Sequence, residues 1–131
     1  MARFIFKIGY DPIILHEQAS KGMTIIEKIE EYSNVGFGIV LYTPDDVGLS
    51  KVDESKGLGL SDRARQNVVF EHGYLIGKIG RKRVMPIVKD KIELPNDISG
   101  VVYISDDDWQ VSLVKEMKAV GYDIDFNKVI D

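Results

Sequence analysis

Four short apolar runs constrain the fold of this chain more than any other feature of its sequence. They occupy residues 12–15, 35–42, 84–88 and 100–104. None of them alternates cleanly with polar residues, and near-continuous valine and isoleucine runs are typical of strands that are covered on both faces. The runs therefore predict a parallel sheet that lies between two layers of helices.

Helical patterns occupy the segments between these runs. Thr24 and Glu27 have the spacing of a capping box, in which a hydroxyl and a carboxylate each satisfy an orphan backbone donor. A second helix is predicted to begin at Asp62 and to run to Ile79, with Gly80 as its stop. The apolar face of the first helix is predicted to consist of Ile25, Ile26, Ile29 and Tyr32.

A third helix follows the three consecutive aspartates at positions 106–108, which offer N-caps, and it ends at Gly121. Strands that alternate with helices indicate βαβ units, so residues 1–131 are predicted to form one α/β domain. The inward face of the third helix is predicted to contain Leu113, Val114, Met117 and Val120.

Two segments are predicted to be long loops, residues 17–23 and residues 45–61. Long loops at the carboxyl ends of parallel strands are where ligands usually bind. Residues 3–8 fit either a strand or the last turns of a helix that ends at Gly9, and the sequence leaves both open.

The composition excludes several kinds of site. The chain has no cysteine, which excludes disulfides, a redox pair and a thiolate-bound metal, and the spacing of His16 and His72 predicts no metal site. The net charge of −4 argues against a nucleic-acid partner. No apolar run approaches the ~18 residues of a membrane span, and the N-terminal residues lack the pattern of a signal-peptide h-region followed by a cleavage site, so a cytoplasmic location is predicted. No glycine motif of the Rossmann or P-loop type occurs.

Glu71 is the leading candidate for chemistry. It lies at the edge of the apolar stripe of the second predicted helix, with Asn67 one turn before it. A carboxylate with apolar neighbours on both sides is costly unless it is hydrogen-bonded or functional. A solvated surface glutamate and a functional carboxylate both fit the pattern. His72, on the same helix, is interpreted as a buried core histidine.

Two other segments have polar groups where a ligand crevice is expected. Thr43, Asp45 and Asp46 follow the longest apolar run, at the position where strand ends face the crevice, although a hydrogen-bonded turn fits them as well. Residues 16–18 precede a glycine-containing loop and a helix start, which can hold an anion or can simply connect two elements.

Five segments of the chain resemble the bacterial family of predicted nucleotide-binding TIR-like domains. They are residues 13–18, 22–28, 40–48, 63–74 and 93–101, which match in order and spacing. The resemblance as a whole extends over nearly the whole chain, from the N-terminus to about Asp125. The resemblance implies a flavodoxin-like TIR fold, in which helices flank a parallel sheet on both faces. It also implies an antiphage effector that works as a homo-oligomer and can be fused to a STING-like cyclic-dinucleotide sensor.

The resemblance further implies cleavage of the nicotinamide–ribose bond of NAD, which is the substrate, so no cofactor or metal is expected. Glu71 matches the position of the catalytic glutamate of related TIR enzymes. Asn67 would orient Glu71 or contact the ribose, Tyr42 and Thr43 would line the base or ribose pocket, and Asp46 is assigned as a further substrate-binding residue.

The chain departs from the family pattern at its N-terminus. Family members begin with an apolar strand and a short His-Gly-type loop, before a helix that residues 2–9 resemble, and nothing here matches that strand. An unpaired sheet edge, which invites strand exchange between protomers, is therefore expected. Two alternatives to a glycohydrolase stay open, a non-catalytic TIR-type scaffold and a nucleoside deoxyribosyltransferase-like enzyme.

Overall fold

The computed structural model describes residues 1–90, 92, 94, 103–105 and 107–130. The helices are α1 (Ala2–Lys7), α2 (Ile25–Tyr32), α3 (Lys51–Ser55), α4 (Gln66–Ile79), α5 (Trp109–Ala119) and α6 (Asn127–Ile130), with 3₁₀ turns at Leu15–Glu17 and Arg81–Arg83. The strands are β1 (Gly38–Tyr42), β2 (Asp46–Gly48), β3 (Ser61–Arg63), β4 (Val84–Val88) and β5 (Ile104–Ser105).

The main sheet is parallel and has the strand order β1-β4-β5. Its register pairs Gly38 with Val84 at one end and Tyr42 with Val88 at the other. Two of the four predicted strands, in residues 35–42 and 84–88, are thereby confirmed.

The structure does not show strands over the full length of the other two runs, residues 12–15 and 100–104. The prediction for residues 12–15 is wrong, since this run is an irregular segment that enters the Leu15–Glu17 turn. Its proline has no backbone donor and Ile13 is about half exposed, so the run has neither the pairing nor the burial of a strand. In the run 100–104, Ile104 begins β5, whereas residues 100–102 lie outside the described residues.

The sheet is covered on both faces, as the continuous apolar runs predicted. Val40, Tyr42 and Val84 point towards α4 and form one buried cluster with Ala64. The alternate residues Met85 and Ile87 point to the other face. There they pack in a second cluster with residues from α1, α5 and the C-terminal segment. Ile8 at the end of α1, Leu113, Val114 and Met117 of α5, and Ile124 form the rest of this cluster.

The helices confirm the sequence signals only in part. Thr24 and Glu27 form the predicted capping box of α2. The prediction that Asp62 begins the second helix is wrong, because Asp62 pairs with Val47 in an antiparallel ribbon of β2 and β3, and α4 starts at Gln66. The same ribbon and α3 correct the prediction of a plain loop over residues 45–61.

Several details at helix ends and on helix faces were also resolved. Residues 3–8, left open between strand and helix, lie in α1 and its C-cap. α4 ends at Ile79, and Gly80 follows with a φ of 93°, as predicted. Asp108 precedes α5 but its side chain makes no capping hydrogen bond, and Asp106 lies outside the described residues. Ile26, predicted to face the core, is about half exposed on α2.

None of the helices in the described part of the chain is both long and apolar enough to cross a membrane.

Candidate functional site

A cleft opens beyond the carboxyl end of β1, between the β2–β3 ribbon and the first turn of α4. Its volume is about 340 Å³. Position and size both fit a ligand site, because ligands of open α/β sheets bind outside the carboxyl ends of the strands. The cleft is lined by Asp46, Val47, Arg63, Ala64, Arg65, Gln66 and Asn67.

The ribbon places Arg63 against the cleft. β2 and β3 pair Asp46 with Arg63 and Gly48 with Ser61, so Arg63 lies diagonally across from Gly48. The guanidinium of Arg63 occupies the space that a Cβ atom on residue 48 would need. Glycine at position 48 is therefore required for Arg63 to lie where it does.

The turn that follows β1 is held by its own side chains. The Thr43 hydroxyl donates to a carboxylate oxygen of Asp45, and the Asp45 amide donates to the Thr43 carbonyl over 2.8 Å. Arg65 approaches the same carboxylate, with Nε 4.0 Å from Oδ2. The hydrogen-bonded turn considered for this segment is thus present, whereas Asp46 beside it lines the cleft.

α4 connects Glu71 to the cleft. Asn67 lines the cleft in the first turn of the helix, and Glu71 follows one turn later on the same side. Glu71 is half-buried and is not itself among the lining residues. The structure therefore brings Asp46 and Asn67 together at the cleft, and places Glu71 one helical turn after Asn67 on α4.

Tyr42 lies elsewhere, in a buried polar cluster between the sheet and α4. Its side chain is fully buried, and its hydroxyl lies 2.6 Å from Nδ1 of His72, which is also fully buried. The ring of Tyr103 packs edge-on against both, with centroids 5.3 Å from Tyr42 and 6.0 Å from His72. The interpretation of His72 as a core residue is confirmed.

Burial decides the protonation of this cluster. It raises the pKa of Tyr42 and lowers the pKa of His72, so both side chains are neutral near pH 7. The neutral phenol and the neutral imidazole share the hydrogen bond at Nδ1, and the tautomer of His72 sets which of the two groups is the donor. Over the described residues, neither Nε2 of His72 nor the Tyr103 hydroxyl has a hydrogen-bond partner.

Residues 16–18, the third candidate segment, lie in a 3₁₀ turn and its C-cap. Glu17 lies in the Leu15–Glu17 turn, and the side-chain amide of Gln18 donates to the Ile14 carbonyl over 3.2 Å. The helix start that follows is already capped by Thr24. Within the described residues, no group of three or more histidine and carboxylate side chains is arranged to hold a metal ion.

Arg63 and Arg65 are the charged cleft residues that the sequence analysis missed. The local signal was their separation by two positions, directly before the helix. In an extended segment, residues two apart point to the same side, so both cations reach one surface. The predicted helix start at Asp62 hid this signal, because a helix turns such residues away from each other.

The parallel sheet, the helices on both of its faces and the cleft at its carboxyl edge define an α/β domain with a TIR fold. The family model described as the TIR domain of CAP12/Pycsar effector proteins matches residues 1–108. The chain belongs to this family of antiphage effector TIR domains.

Curated relatives agree with this assignment. The uncharacterized protein YuaY of Escherichia coli K12 is 44% identical over 134 residues, covering 99% of this chain and 44% of the relative. Protein tirC of Dictyostelium discoideum is 41% identical over 112 residues, covering 80% of this chain and 56% of the relative. CD-NTase-associated protein 12 of Flavobacterium daejeonense is 34% identical over 73 residues, covering 56% and 22%. The chain thus spans about half or less of the length of these relatives.

Proposed function

We propose that this TIR domain binds NAD and cleaves its nicotinamide–ribose bond, as the effector activity of an antiphage defence protein. The observation that carries the proposal is the placement of Glu71, half-buried on α4 and one turn from Asn67 at the cleft. Membership of an effector TIR family is consistent with such an activity.

Glu71 acts in this proposal as an ionised carboxylate close to the ribose. Nicotinamide leaves as a neutral base when the bond between its nitrogen and the ribose carbon breaks with both electrons. The ribose then carries oxocarbenium-like positive charge, which a nearby carboxylate stabilises. The same carboxylate orients the ribose hydroxyls. Water adds to the ribose carbon and releases a proton, which gives ADP-ribose.

The remaining predicted site residues have different relations to this chemistry. Asn67 and Asp46 line the cleft and are proposed to contact the ribose side of the substrate. Thr43 lies in the turn at the end of β1, three positions before Asp46. Tyr42 is proposed to shape the pocket from behind, since its hydroxyl would reach a ligand only if His72 released it.

Assembly and signalling belong to the same proposal. We expect the domain to act in the cytoplasm as a homo-oligomer that a fused or partner cyclic-dinucleotide sensor brings together. Within the described residues, β1 is a border strand of the main sheet, and its Leu41 is 46% exposed. An open strand edge of this kind is suited to pairing with another chain.

The same edge favours a second candidate function, a TIR-type scaffold without catalysis. Such a scaffold would pair through β1 and would need neither the cleft nor Glu71. The two functions differ in one measurable respect, because only the enzyme releases nicotinamide.

The test is nicotinamide release from NAD by the purified protein, at low and high protein concentration, beside Glu71→Gln. Glu116→Gln is the matched control, since Glu116 is an exposed glutamate on α5. We expect release by the parent and the control, rising per protomer with concentration, and loss in Glu71→Gln. Equal turnover in all three would refute the role of Glu71, and no release at any concentration would favour the scaffold. Exchange of labelled nucleobase without net hydrolysis would indicate a transferase instead.

A further inference from the structure

Tyr42 and His72 join the end of β1 to the middle of α4. Tyr42 is the last residue of β1, and its carbonyl accepts the Lys89 amide over 2.9 Å, which ties it to the end of β4. Its hydroxyl lies 2.6 Å from Nδ1 of His72, and both side chains are fully buried. A hydrogen bond holds only over a narrow range of distance and angle. The bond therefore fixes the turn of α4 that carries His72 with respect to the sheet.

The pair is a costly way to fill this part of the core. Two apolar side chains of similar shape would pack without loss of polar hydration, and a hydrogen bond inside a protein contributes little net stability. Over the described residues, Nε2 of His72 has no hydrogen-bond partner, which adds to the cost. Apolar packing cannot supply direction, because the hydrophobic effect depends on buried area and not on angle. The pair therefore fits a role in orientation better than a role in stability.

The other contacts of α4 leave room for this role. At the far end of the helix, Lys78 Nζ donates to Ser33 Oγ over 3.1 Å. At the end nearer the cleft, the N-cap residue Arg65 makes no side-chain capping bond within the described residues. Between the two ends, apolar side chains without directional preference pack against the cluster around Tyr42, namely Val68, Val69, Leu75, Ile76 and Ile79. The Tyr42–His72 bond thus acts on the half of α4 that is nearer the cleft.

Glu71 directly precedes His72 on α4, so the two side chains lie about 100° apart around the helix axis. A helix with its side chains has a radius of about 5–6 Å, so a rotation by about 10° moves a side chain by about 1 Å. A misplacement of about 1 Å can cost about 10²-fold in rate. A bond that prevents such a rotation sets where the Glu71 carboxylate lies, without itself touching the substrate.

We propose that Tyr42 and His72 are positioning residues for Glu71, and that their hydrogen bond sets the orientation of the Glu71 carboxylate relative to the cleft. The inference rests on the proposed function and deepens it, since it gives two buried residues a part in the same reaction. Loss of the bond lowers kcat, because the carboxylate acts on charge that develops in the transition state. KM changes little, because neither residue contacts the substrate.

The first test compares the kinetics of nicotinamide release with stability in urea for variants of the whole chain. Tyr42→Phe breaks the bond and keeps both rings, and the double variant Tyr42→Phe/His72→Leu replaces the pair by apolar groups. His72→Asn keeps a polar group near the position of Nδ1, and its amide can donate or accept, so it suits either tautomer. Tyr32→Phe is the control, because it removes a hydroxyl at an exposed site on α2.

We expect kcat to fall about tenfold or more in Tyr42→Phe and in the double variant, with KM within about twofold of the parent. The double variant should regain stability relative to Tyr42→Phe without regaining kcat, because it leaves no buried partner unsatisfied. His72→Asn should retain more of the kcat than the double variant, although its smaller side chain makes it less stable. A merely structural role would make kcat follow stability across the series, and that result would overturn the proposal.

The second test does not depend on activity. It follows the carboxyl carbon resonance of Glu71 by NMR in the parent, Tyr42→Phe and Tyr32→Phe, since Tyr42→Phe changes no aromatic ring next to Glu71. We expect the resonance to move in Tyr42→Phe and not in Tyr32→Phe. A displaced resonance without nicotinamide release by the parent supports the positioning of Glu71 and refutes the glycohydrolase. An unchanged resonance in Tyr42→Phe refutes the positioning, even where Glu71-dependent release establishes the enzyme.

Discussion

The hydrogen bond between Tyr42 and His72 makes a quantitative prediction about stability. Tyr42→Phe removes a hydroxyl from a fully buried position and leaves Nδ1 of His72 without its hydrogen-bond partner. An unsatisfied buried polar group costs about 1–3 kcal/mol. With an unfolding entropy of roughly 2.1 cal/mol/K per residue, this lowers Tm by about 4–11 °C for a chain of this length.

The assay is urea and thermal unfolding of the parent, Tyr42→Phe, His72→Leu and the double variant. Tyr32→Phe is the control, because the Tyr32 hydroxyl donates to the Ala19 carbonyl at an exposed site over 3.3 Å. We expect the double variant to lose less stability than the two single losses combined, because it leaves neither buried partner unsatisfied. Additive losses, or a Tyr42→Phe variant as stable as the control, would refute the reasoning.

Three further predictions concern stability. Burial lowers the pKa of His72 below its ordinary value of 6.5, so the unfolded chain binds its proton first. Stability should therefore fall as the pH drops below about 6.5, and the difference between parent and His72→Leu in urea titrations should shrink over that range; a difference independent of pH would contradict it. Thr24→Ala should cost about 1 kcal/mol by removing the α2 capping box, with Thr24→Ser restoring most of it in the same titration. Gly80→Ala should destabilise by about 1–3 kcal/mol, because its φ of 93° strains any residue with a Cβ, whereas Gly77→Ala within α4 should stabilise by roughly 0.5–1 kcal/mol; the same sign for both would overturn this account.

Local patterns predicted the parts of the fold that depend on local burial. The runs that became β1 and β4 are apolar on both faces, and the sequence shows this directly. The capping box of α2 and the stop at Gly80 depend on residues within one turn, and both were predicted. The start of α4 was not, because Asp62 pairs with Val47 fifteen positions away and only that pairing makes it a strand residue.

The candidate site shows the same division. Asn67 and Glu71 were identified together because one helical turn separates them. The position of Tyr42 depended on His72, 30 residues later, and neither residue indicates the other in the sequence. Arg63 reaches the cleft through its pairing opposite Asp46 and through the absence of a side chain on Gly48, both of which require the ribbon to be known.

The border position of β1 has a consequence for amide hydrogen exchange. The Tyr42 carbonyl accepts the amide of Lys89 over 2.9 Å, so the backbone groups of Tyr42 point towards β4. Because successive residues of a strand point their amides to opposite sides, Val40 shares that direction, and Ile39 and Leu41 direct theirs outwards. In an isolated chain, the amides of Ile39 and Leu41 should therefore exchange quickly and those of Val40 and Tyr42 slowly. Pairing with a second strand would make the protection uniform, so the exchange pattern of these few amides reports whether the sheet has been extended.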